Sequence, residues 1–311
     1  MKNKIFKVAK RHFHLTCLTG RQAFLIGYLT LSLLLADPVF AVGQSGTDIA
    51  VLNAGVGARP LGMGGAFTSI ADNADAPYWN PAGLAQIKNQ EINSMQTKLS
   101  SDADHFYLSY VKPLGKGAIG FSWIQVGLGS IANTSATVDA FNEVQNISVF
   151  SYFSNAYLLS YGLPVNSNLS IGLTAKYLTS DMYKITGGQA YGYSLTPGFL
   201  LNITNYRLPI TLGFKLDNAI NEQKWGTNTV EKAIPTAKLG LSIKELKGIL
   251  AGSVFALDFS QVLRRSYKTE ISAGYEFVRS FLKNKGELAI RAGIADSAFT
   301  AGAGFKSGVT E

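Results

Sequence analysis

The sequence predicts an all-β protein: a transmembrane antiparallel β-barrel of about twelve strands, preceded by an N-terminal plug. Three observations lead to this fold. Apolar and polar residues alternate with period two over most of the chain after residue 90, as in strands with two different faces. Short turns alternate along the chain with longer polar loops. A glycine-rich segment without alternation stands ahead of the strands.

Residues 1–41 have the organisation of a cleaved signal peptide. Basic residues precede an uncharged run, residues 22–36, and Val39-Phe40-Ala41 offers a cleavage site of the kind a signal peptidase recognises. The run is shorter than the roughly 18 to 20 residues that a helix needs to cross a bilayer. We therefore expect export with cleavage after Ala41, and no uncleaved membrane anchor.

The composition of the mature chain argues against several classes of function. Without residues 1–41, 22 basic and 19 acidic residues remain, a net charge of +3, and they form no basic cluster that would bind nucleic acid. Cys17, the only cysteine, lies in the signal segment, so disulfides and thiolate metal sites are excluded. We expect no cofactor, no metal site and no nucleic-acid partner.

The alternation is clearest at residues 210–217. Four apolar side chains, those of Ile210, Leu212, Phe214 and Leu216, share one face, which we expect to contact lipid. Thr, Gly, Lys and Asp share the other face, where we expect the replacement of Gly213 by serine to cost much less stability than the replacement of Leu212 by arginine. The same pattern recurs at residues 119–123, 169–177, 237–244, 271–277, 288–294 and 299–305.

Apolar and polar residues would also alternate in the strands of a soluble β-sandwich. The composition of the polar face and the lengths of the loops must therefore distinguish the two folds. That face carries mainly Gly, Ser and Ala with few charges, as expected for a crowded lumen. Short turns such as residues 113–117 alternate with longer loops such as residues 128–146 and 218–234. A soluble periplasmic β-sandwich that binds ligands is the alternative. Aromatic residues placed near strand ends suit the two membrane interfaces: Tyr107, Tyr110, Trp123, Tyr177, Tyr183 and Tyr267.

The segment GARPLGMGGAFTSIADNADAPYWNPAGL, residues 57–84, has too many glycines for a helix. Glycine lets one backbone pass close to another, and asparagine followed by proline is suited to cap and start a short helix. We therefore expect a compact plug pressed against the inner wall of the barrel. The residues expected to form it include Gly62, Gly64 and Gly65, then Asn80, Pro81, Ala82 and Gly83.

Two motifs of this segment, G-A-R-P-L-G-M-G-G-A-F and D-N-A-D-A-P-Y-W-N-P-A-G-L, resemble the N-terminal signature of the PorV/PorQ family. That family belongs with the long-chain fatty acid transporters of the FadL type. The resemblance extends over nearly the whole mature chain, including F-S-Y-F-S-N-A-Y-L-L-S-Y-G at residues 150–162. It implies a FadL-like outer-membrane barrel of about fourteen strands. The hatch, or plug, would be residues 42–88 and the barrel residues 89–311.

The resemblance implies two roles, and the sequence does not choose between them. In the fatty acid transporters, the hatch lies beside a hydrophobic ligand such as a fatty acid, which leaves through an opening in the wall towards the outer-membrane lipid. In the PorV branch, the barrel serves a protein secretion system, and the partners are secretion proteins. The chain departs from the family at its end: about twelve strands are visible, and residues 308–311 lack an aromatic-ended final strand. Either the chain is truncated, or the closure and assembly of its barrel need another explanation, because an open edge cannot be left in lipid.

Several polar residues could have a specific role in gating, metal binding or catalysis. Arg59 could pair with Asp72 or Asp75 and gate a path, although mutual charge neutralisation in a crowded lumen is the simpler interpretation. Asp72 and Asp75 lack the spacing of a calcium loop and are interpreted as turn residues. His105 and Ser109 share the lumenal face, but no G-x-S-x-G motif accompanies them. We therefore interpret His105 as a residue at a loop edge and expect no enzyme.

Overall fold

The structure is a computed structural model that describes residues 49–99, 103–138, 144–205, 208–244, 251–263, 268–281, 286–296 and 298–307. The expected signal peptide, the last residues of the chain and Tyr267 lie outside these ranges. No helix in the described ranges is long and apolar enough to cross a membrane.

In the described residues, fourteen antiparallel strands make one sheet. Twelve of them are hydrogen-bonded in chain order, β1 to β7 and then β10 to β14, while β8 pairs with the first half of β6 and with β9. Among the described residues, β1 pairs only with β2 and β14 only with β13. The strands are β1 (Glu91–Lys98), β2 (Asp104–Leu114), β3 (Gly117–Val138), β4 (Val144–Pro164), β5 (Leu169–Tyr183), β6 (Gln189–Asn205), β7 (Leu208–Asp217), β8 (Ile220–Trp225), β9 (Val230–Glu231), β10 (Thr236–Ile243), β11 (Ser253–Val262), β12 (Glu270–Phe281), β13 (Gly286–Ala295) and β14 (Ala298–Ser307).

The sequence analysis missed strand structure in two expected loops. Residues 218–234 contain β8 and β9, and much of residues 128–146 continues β3 and β4 as a long hairpin. These stretches are polar on both faces, so the apolar alternation that revealed the other strands is missing there. Their strand structure comes from backbone pairing with a neighbouring strand, which leaves no trace in hydropathy.

The two faces of the sheet differ as the alternation predicts. On β7, Thr211, Gly213 and Lys215 are buried, whereas Phe214 is 38% exposed on the opposite face. Large apolar side chains are exposed in the same way on the other strands of the path, for example Leu159 and Ile290. An outer surface of this kind suits lipid and would be a severe liability in water.

The lumen is filled by the chain between residue 49 and residue 88, which we call the hatch. Four short helices lie along it. The one that starts at Pro81 is the short helix that the sequence predicts, whereas the single turns at residues 58–62 and 76–79 were not expected in so glycine-rich a segment. The buried apolar core of the protein lies between the hatch and the inner face of the strands. The helices are α1 (Ala50–Asn53), α2 (Ala58–Gly62), α3 (Ala76–Trp79) and the 3-10 helix η1 (Pro81–Gln86).

The hatch contacts the inner faces of all twelve strands of the path. At one edge, the Ala74 amide donates to Glu91 of β1, and at the other the Thr300 hydroxyl of β14 donates to the Gly62 carbonyl. A segment this short reaches both edges of the sheet because the sheet curls around it. The resulting fold is an antiparallel β-barrel with an N-terminal hatch in its lumen.

Candidate functional site

The hatch glycines lie where a side chain would collide with the wall or with the hatch itself. A Cβ atom on Gly64 would stand 2.7 Å from the Ile294 carbonyl oxygen of β13, and the φ of Gly64 is +65°. A Cβ atom on Gly62 would stand 3.3 Å from the Cα atom of Gly302 on β14. Gly65, with φ +75°, faces the Trp79 ring at 3.3 Å. The first two glycines therefore let the hatch backbone lie directly on the wall.

Sequence reasoning missed the matching glycines of the wall. On β4, β5 and β6, Cβ atoms at these positions would collide with Pro81 or its neighbours, and on β7, β10, β12 and β13 with residues 63–69. The signal was present in the sequence, because these glycines all share the lumenal parity of their strands. They are Gly162, Gly172, Gly198, Gly213, Gly240, Gly274 and Gly293.

Asn80 joins the two halves of the hatch to the wall. Its side-chain oxygen accepts the Ala82 amide at 3.1 Å and so caps η1, as the sequence predicts. Its side-chain nitrogen donates to the Thr68 carbonyl at 2.8 Å and to the Phe199 carbonyl of β6 at 3.1 Å. Asn80 is fully buried, so all three bonds form away from water.

Arg59 is the centre of a network of five alternating charges. Its guanidinium donates to Asp72 of the hatch at 2.5 Å and to both carboxylate oxygens of Glu276 on β12 at 2.9 to 3.1 Å. Asp72 also accepts from Lys244, directly after β10, at 3.1 Å. Glu276 accepts from Arg291 of β13 at 2.6 Å. The network therefore runs from wall to hatch and back to the wall.

Asp72 and Asp75 have different partners. Burial alone would raise the pKa of the Asp72 carboxyl, but the Arg59 and Lys244 cations outweigh burial and hold that pKa below its ordinary value. Asp75 accepts from Asn73 at 2.9 Å and from Asn93 of β1 at 2.6 Å, and forms no ion pair with Arg59. Burial raises the pKa of Asp75 against the effect of these hydrogen bonds. Of the two predicted partners of Arg59, only Asp72 pairs with it.

A carboxylate on β11 also binds the hatch backbone. Asp258 of β11 accepts the amides of Phe67 and Thr68 at 3.1 and 2.9 Å through one oxygen. The sequence analysis did not single out this residue. Its position in the sequence could have indicated this role, because Asp258 is an acidic residue on the lumenal face of a strand, where it would meet the predicted plug.

Three lysines and one aspartate line the lumen beside the aromatic pair Tyr78 and Trp79. Lys215 of β7 donates to the Tyr78 carbonyl at 2.9 Å and pairs with Asp217 at 2.8 Å. Lys176 of β5 lies 3.6 Å from the same aspartate. Lys238 of β10 lies 5.8 Å from the Trp79 ring. This cluster was also missed, because the lysines come from three strands that are far apart in sequence.

The lumenal faces of β3, β4 and β5 carry an apolar patch. Several of their buried residues belong to one hydrophobic cluster with α1 and with Tyr78 and Trp79, while Ser122, Ser160 and Lys176 lie buried on the same faces. The Tyr78 hydroxyl donates to the Leu52 carbonyl at 3.1 Å, and the Trp79 ring nitrogen donates to the Val56 carbonyl at 2.9 Å, so the start of the hatch is held against this wall. The buried wall residues are Ile124, Val126, Ala156, Leu158 and Leu178.

One sequence assignment on β2 needs correction. Tyr107 does not belong to an interfacial girdle, because it is fully buried and its hydroxyl donates to the Ala74 carbonyl at 3.2 Å. The hatch covers Tyr107, and the local sequence does not reveal that cover. His105 is the second residue of β2, at the edge of the strand as predicted, but it is fully buried, and neither ring nitrogen has a hydrogen-bond partner in the described structure.

Comparison with solved structures identifies the fold. The TodX ΔS2S3 mutant, a monoaromatic hydrocarbon channel, superposes with a TM-score of 0.53 and 14% identity over 83% of this chain and 84% of the channel. The native TodX is a toluene transporter of Pseudomonas putida. The toluene transporter TbuX of Ralstonia pickettii superposes with a TM-score of 0.52 and 12% identity, over 83% of this chain and 90% of its own. The fold is thus the FadL-type barrel.

Sequence comparison gives a family but no curated relative. No curated protein sequence matches this chain. The model of the uncharacterised protein family UPF0164 matches residues 42–202, which is more than half of the 311 residues. The match begins directly after the expected signal peptide and includes the hatch and the first strands. The chain therefore belongs to the uncharacterised protein family UPF0164.

Proposed function

We propose that this chain is an outer-membrane protein through which hydrophobic molecules cross, with the hatch closing the lumen. Residues 1–41 would direct export and be removed, residues 42–88 would form the hatch and residues 89–311 the barrel. The observation that carries the proposal is the apolar patch around Leu158 on the inner wall of β3 to β5, because apolar lumenal residues suit a hydrophobic solute better than a polar one.

Two further observations support this function. Lipid suits the exposed apolar outer face, and a soluble periplasmic sandwich would have to cover it. The two structural neighbours are a hydrocarbon channel and a toluene transporter by name, which makes a hydrophobic cargo a reasonable expectation for the same fold. The resemblance to the PorV/PorQ family, which belongs with the FadL-type transporters, adds a fatty acid as a candidate cargo.

The deciding experiment measures uptake of a labelled fatty acid and of labelled toluene into vesicles that contain the purified protein. We expect one of the two to enter faster than into empty vesicles. Leu158→Asn, which puts an amide on the apolar lumenal wall, should lower this uptake several-fold. Leu159→Asn puts the same group on the outer face of β4 and should leave it unchanged. Equal uptake by all three proteins and by empty vesicles would reject the proposal.

Membrane fractionation tests the localisation directly. We expect the protein to stay with outer membranes after a urea wash and to change its gel mobility on heating, as closed barrels do. Full extraction without detergent would favour the soluble sandwich instead. The secretion role implied by the PorV/PorQ resemblance predicts a different result: loss of surface proteins from a deletion strain, with fatty acid uptake unchanged.

A further inference from the structure

The outer face of β3 to β6 changes its chemistry over three successive rows of residues. The first row is apolar, the second consists of tryptophan and tyrosine, and the third carries polar groups. Each row is a line of cross-strand neighbours, so its members stand at one level of the barrel wall. The apolar row is Phe121, Leu159, Ala175 and Leu195, the aromatic row is Trp123, Tyr157, Tyr177 and Tyr193, and the polar row is Gln125, Asn155, Thr179 and Tyr191.

The aromatic row marks the edge of the hydrocarbon core on this part of the barrel. Tryptophan and tyrosine favour the level at which acyl chains meet headgroups. The rings of Trp123 and Tyr157 stack with 6.3 Å between their centroids, and those of Tyr157 and Tyr177 with 6.4 Å. The polar row lies one step further towards the β3–β4 hairpin, at the level of the headgroups. Because the longer loops of such barrels face the outside, these headgroups belong to the external leaflet.

The polar row contains a hydrogen-bonded platform, formed by Trp123, Gln125, Asn155 and Thr179. The Asn155 side-chain oxygen accepts from the Trp123 ring nitrogen at 3.1 Å and from the Gln125 amide at 2.9 Å. The Asn155 side-chain nitrogen donates to the Thr179 hydroxyl at 3.4 Å. In the described structure, the second Asn155 amide hydrogen and the Gln125 carbonyl oxygen have no partner, and both side chains are partly exposed. A donor and an acceptor therefore stand side by side on the outer face.

These two groups fit a hydroxyl better than a phosphate. A hydroxyl can accept from Asn155 and donate to Gln125, whereas a lipid phosphate offers acceptors only and would leave the Gln125 oxygen without a partner. Beside the platform, the exposed rings of Tyr177, Tyr191 and Tyr193 present apolar faces and polar edges. A sugar has the same two kinds of surface, hydroxyl groups and apolar C–H faces. The platform and its tyrosines therefore match a sugar.

The charges around the platform also disfavour a phosphate. Anionic lipid headgroups are bound by clusters of lysine and arginine. The row outward of the polar row is Gly127, Phe153, Asp181 and Gln189, so the only charged residue of these two rows on β3 to β6 is the anionic Asp181. On β8, Lys224 stands beside Tyr191 but Glu222 stands beside Tyr193, so this strand adds no net charge.

We propose that the platform binds the uncharged, hydroxyl-rich headgroup of a glycolipid in the external leaflet. The position of the platform directly above the aromatic row favours a lipid-linked sugar over a free one, because the acyl chains of the same molecule would lie against the apolar row. This inference rests on the membrane location in the proposed function and is independent of the cargo.

Lipid selection in vesicles tests the platform. Phosphatidylcholine vesicles with the purified protein contain an equal small share of either monogalactosyl diacylglycerol or phosphatidylglycerol, whose brominated chains quench tryptophan on contact. Trp123 is the tryptophan that faces lipid, because Trp79 is buried in the lumen and Trp225 stands beside the buried Ala190. We expect the galactolipid to quench the fluorescence several-fold more than phosphatidylglycerol does, each relative to the same vesicles without bromine.

Two variants and a matched control connect this selection to the platform. Asn155→Ala removes the amide at its centre and should abolish the difference between the two lipids. Asp181→Lys leaves the hydrogen bonds of the platform in place and should raise the quenching by phosphatidylglycerol several-fold. The control is Gln96→Ala on β1, an exposed amide of the same level that lies two strands away from Gln125. Its lipid selection should equal that of the wild type.

Three results would overturn the proposal. Equal quenching by the two lipids in the wild type would reduce the platform to an ordinary aromatic girdle, and stronger quenching by phosphatidylglycerol would assign it to a phosphate. Loss of selection in Gln96→Ala as well as in Asn155→Ala would place the selection elsewhere. Heat-modifiable mobility verifies that Asn155→Ala folds, and if it does not, Asp181→Lys decides. Failure of hydrophobic uptake would reject the proposed cargo and leave the lipid selection to be judged by this assay.

Discussion

At the scale of single residues, glycine at a lumenal position decides how closely the hatch approaches the wall. Alternation places Gly213 correctly on the lumenal face, but the expectation that serine would cost little there did not allow for the hatch. A Cβ atom on Gly213 would collide with the carbonyl oxygen of Thr68, a backbone atom that cannot turn aside. The lumen is not an open space at this position, because the hatch backbone already occupies it.

Gly213→Ser should therefore displace the hatch without unfolding the barrel. The strands form their hydrogen bonds with one another, so heat-modifiable mobility should survive while a protease cuts residues 57–88 faster than in the wild type. Gly129→Ser is the matched control, since no heavy atom lies within 4 Å of a Cβ atom there. Equal protease sensitivity of the two variants would contradict the close approach of Thr68 to β7.

Acid should weaken the attachment of the hatch, because Asp72 loses its charge at low pH. Because the pKa of Asp72 is lowered in the folded protein, its ion pairs contribute fully above the ordinary aspartate pKa of about 3.9 and are lost as the pH falls below it through the lowered value. We expect proteolysis of the hatch by an acid-active protease to be constant from pH 7 to pH 5 and to rise below about pH 4. Asp72→Asn should show the faster proteolysis at every pH. A wild-type profile that already rises near neutral pH would contradict this assignment.

At the scale of elements, η1 positions the hatch because its capping residue also binds the wall. Asn80 uses its amide nitrogen as a donor to two carbonyls, of Thr68 and Phe199, and its oxygen as the cap of Ala82. An aspartate would keep the cap and lose both donors, leaving a carboxylate against two carbonyl oxygens.

Asn80→Asp should loosen the hatch by about 1 to 3 kcal/mol for each buried group left without a partner. The measurement is hydrogen exchange of the hatch amides at neutral pH, compared with exchange of the β12 amides in the same sample. Faster exchange confined to the hatch is the expected result. Exchange that rises equally in β12 would show that Asn80 stabilises the whole barrel rather than the seat of η1.

At the scale of the whole molecule, the barrel has an apolar outer face that suits lipid and an inner face that packs on the hatch. Leu212 and Gly213 are neighbours on β7 and face opposite ways, so they test the two effects separately. Leu212→Arg puts a charge on the lipid face and should lower the free energy of unfolding by about 2 to 4 kcal/mol near the midplane. Unfolding in urea, followed by heat-modifiable gel mobility, measures it. A loss below about 1 kcal/mol would place Leu212 near an interface or away from lipid.

The sequence by itself determined the repeating features of this protein. Alternation gave the two faces of the strands, and Asn80-Pro81 gave the start and cap of η1, because each depends on residues that are neighbours in the chain. The hatch was recognisable as a separate segment since its glycines interrupt every regular period. The hypothesis that Arg59 pairs with an acidic residue of the hatch also follows from local sequence, although it left Asp72 and Asp75 as equal alternatives.

Only the tertiary structure decided which wall residue each hatch residue meets. Arg59 pairs with Glu276, 217 positions away, and the Phe67 amide with Asp258, 191 positions away. The burial of Tyr107 under Ala74 is likewise a contact between hatch and wall. Such contacts depend on how the sheet curls and on the register of all the strands between the partners, and the alternation of one strand carries no information about either. The sequence therefore specifies most strands of the barrel wall, while the curl of the sheet around the hatch fixes the site.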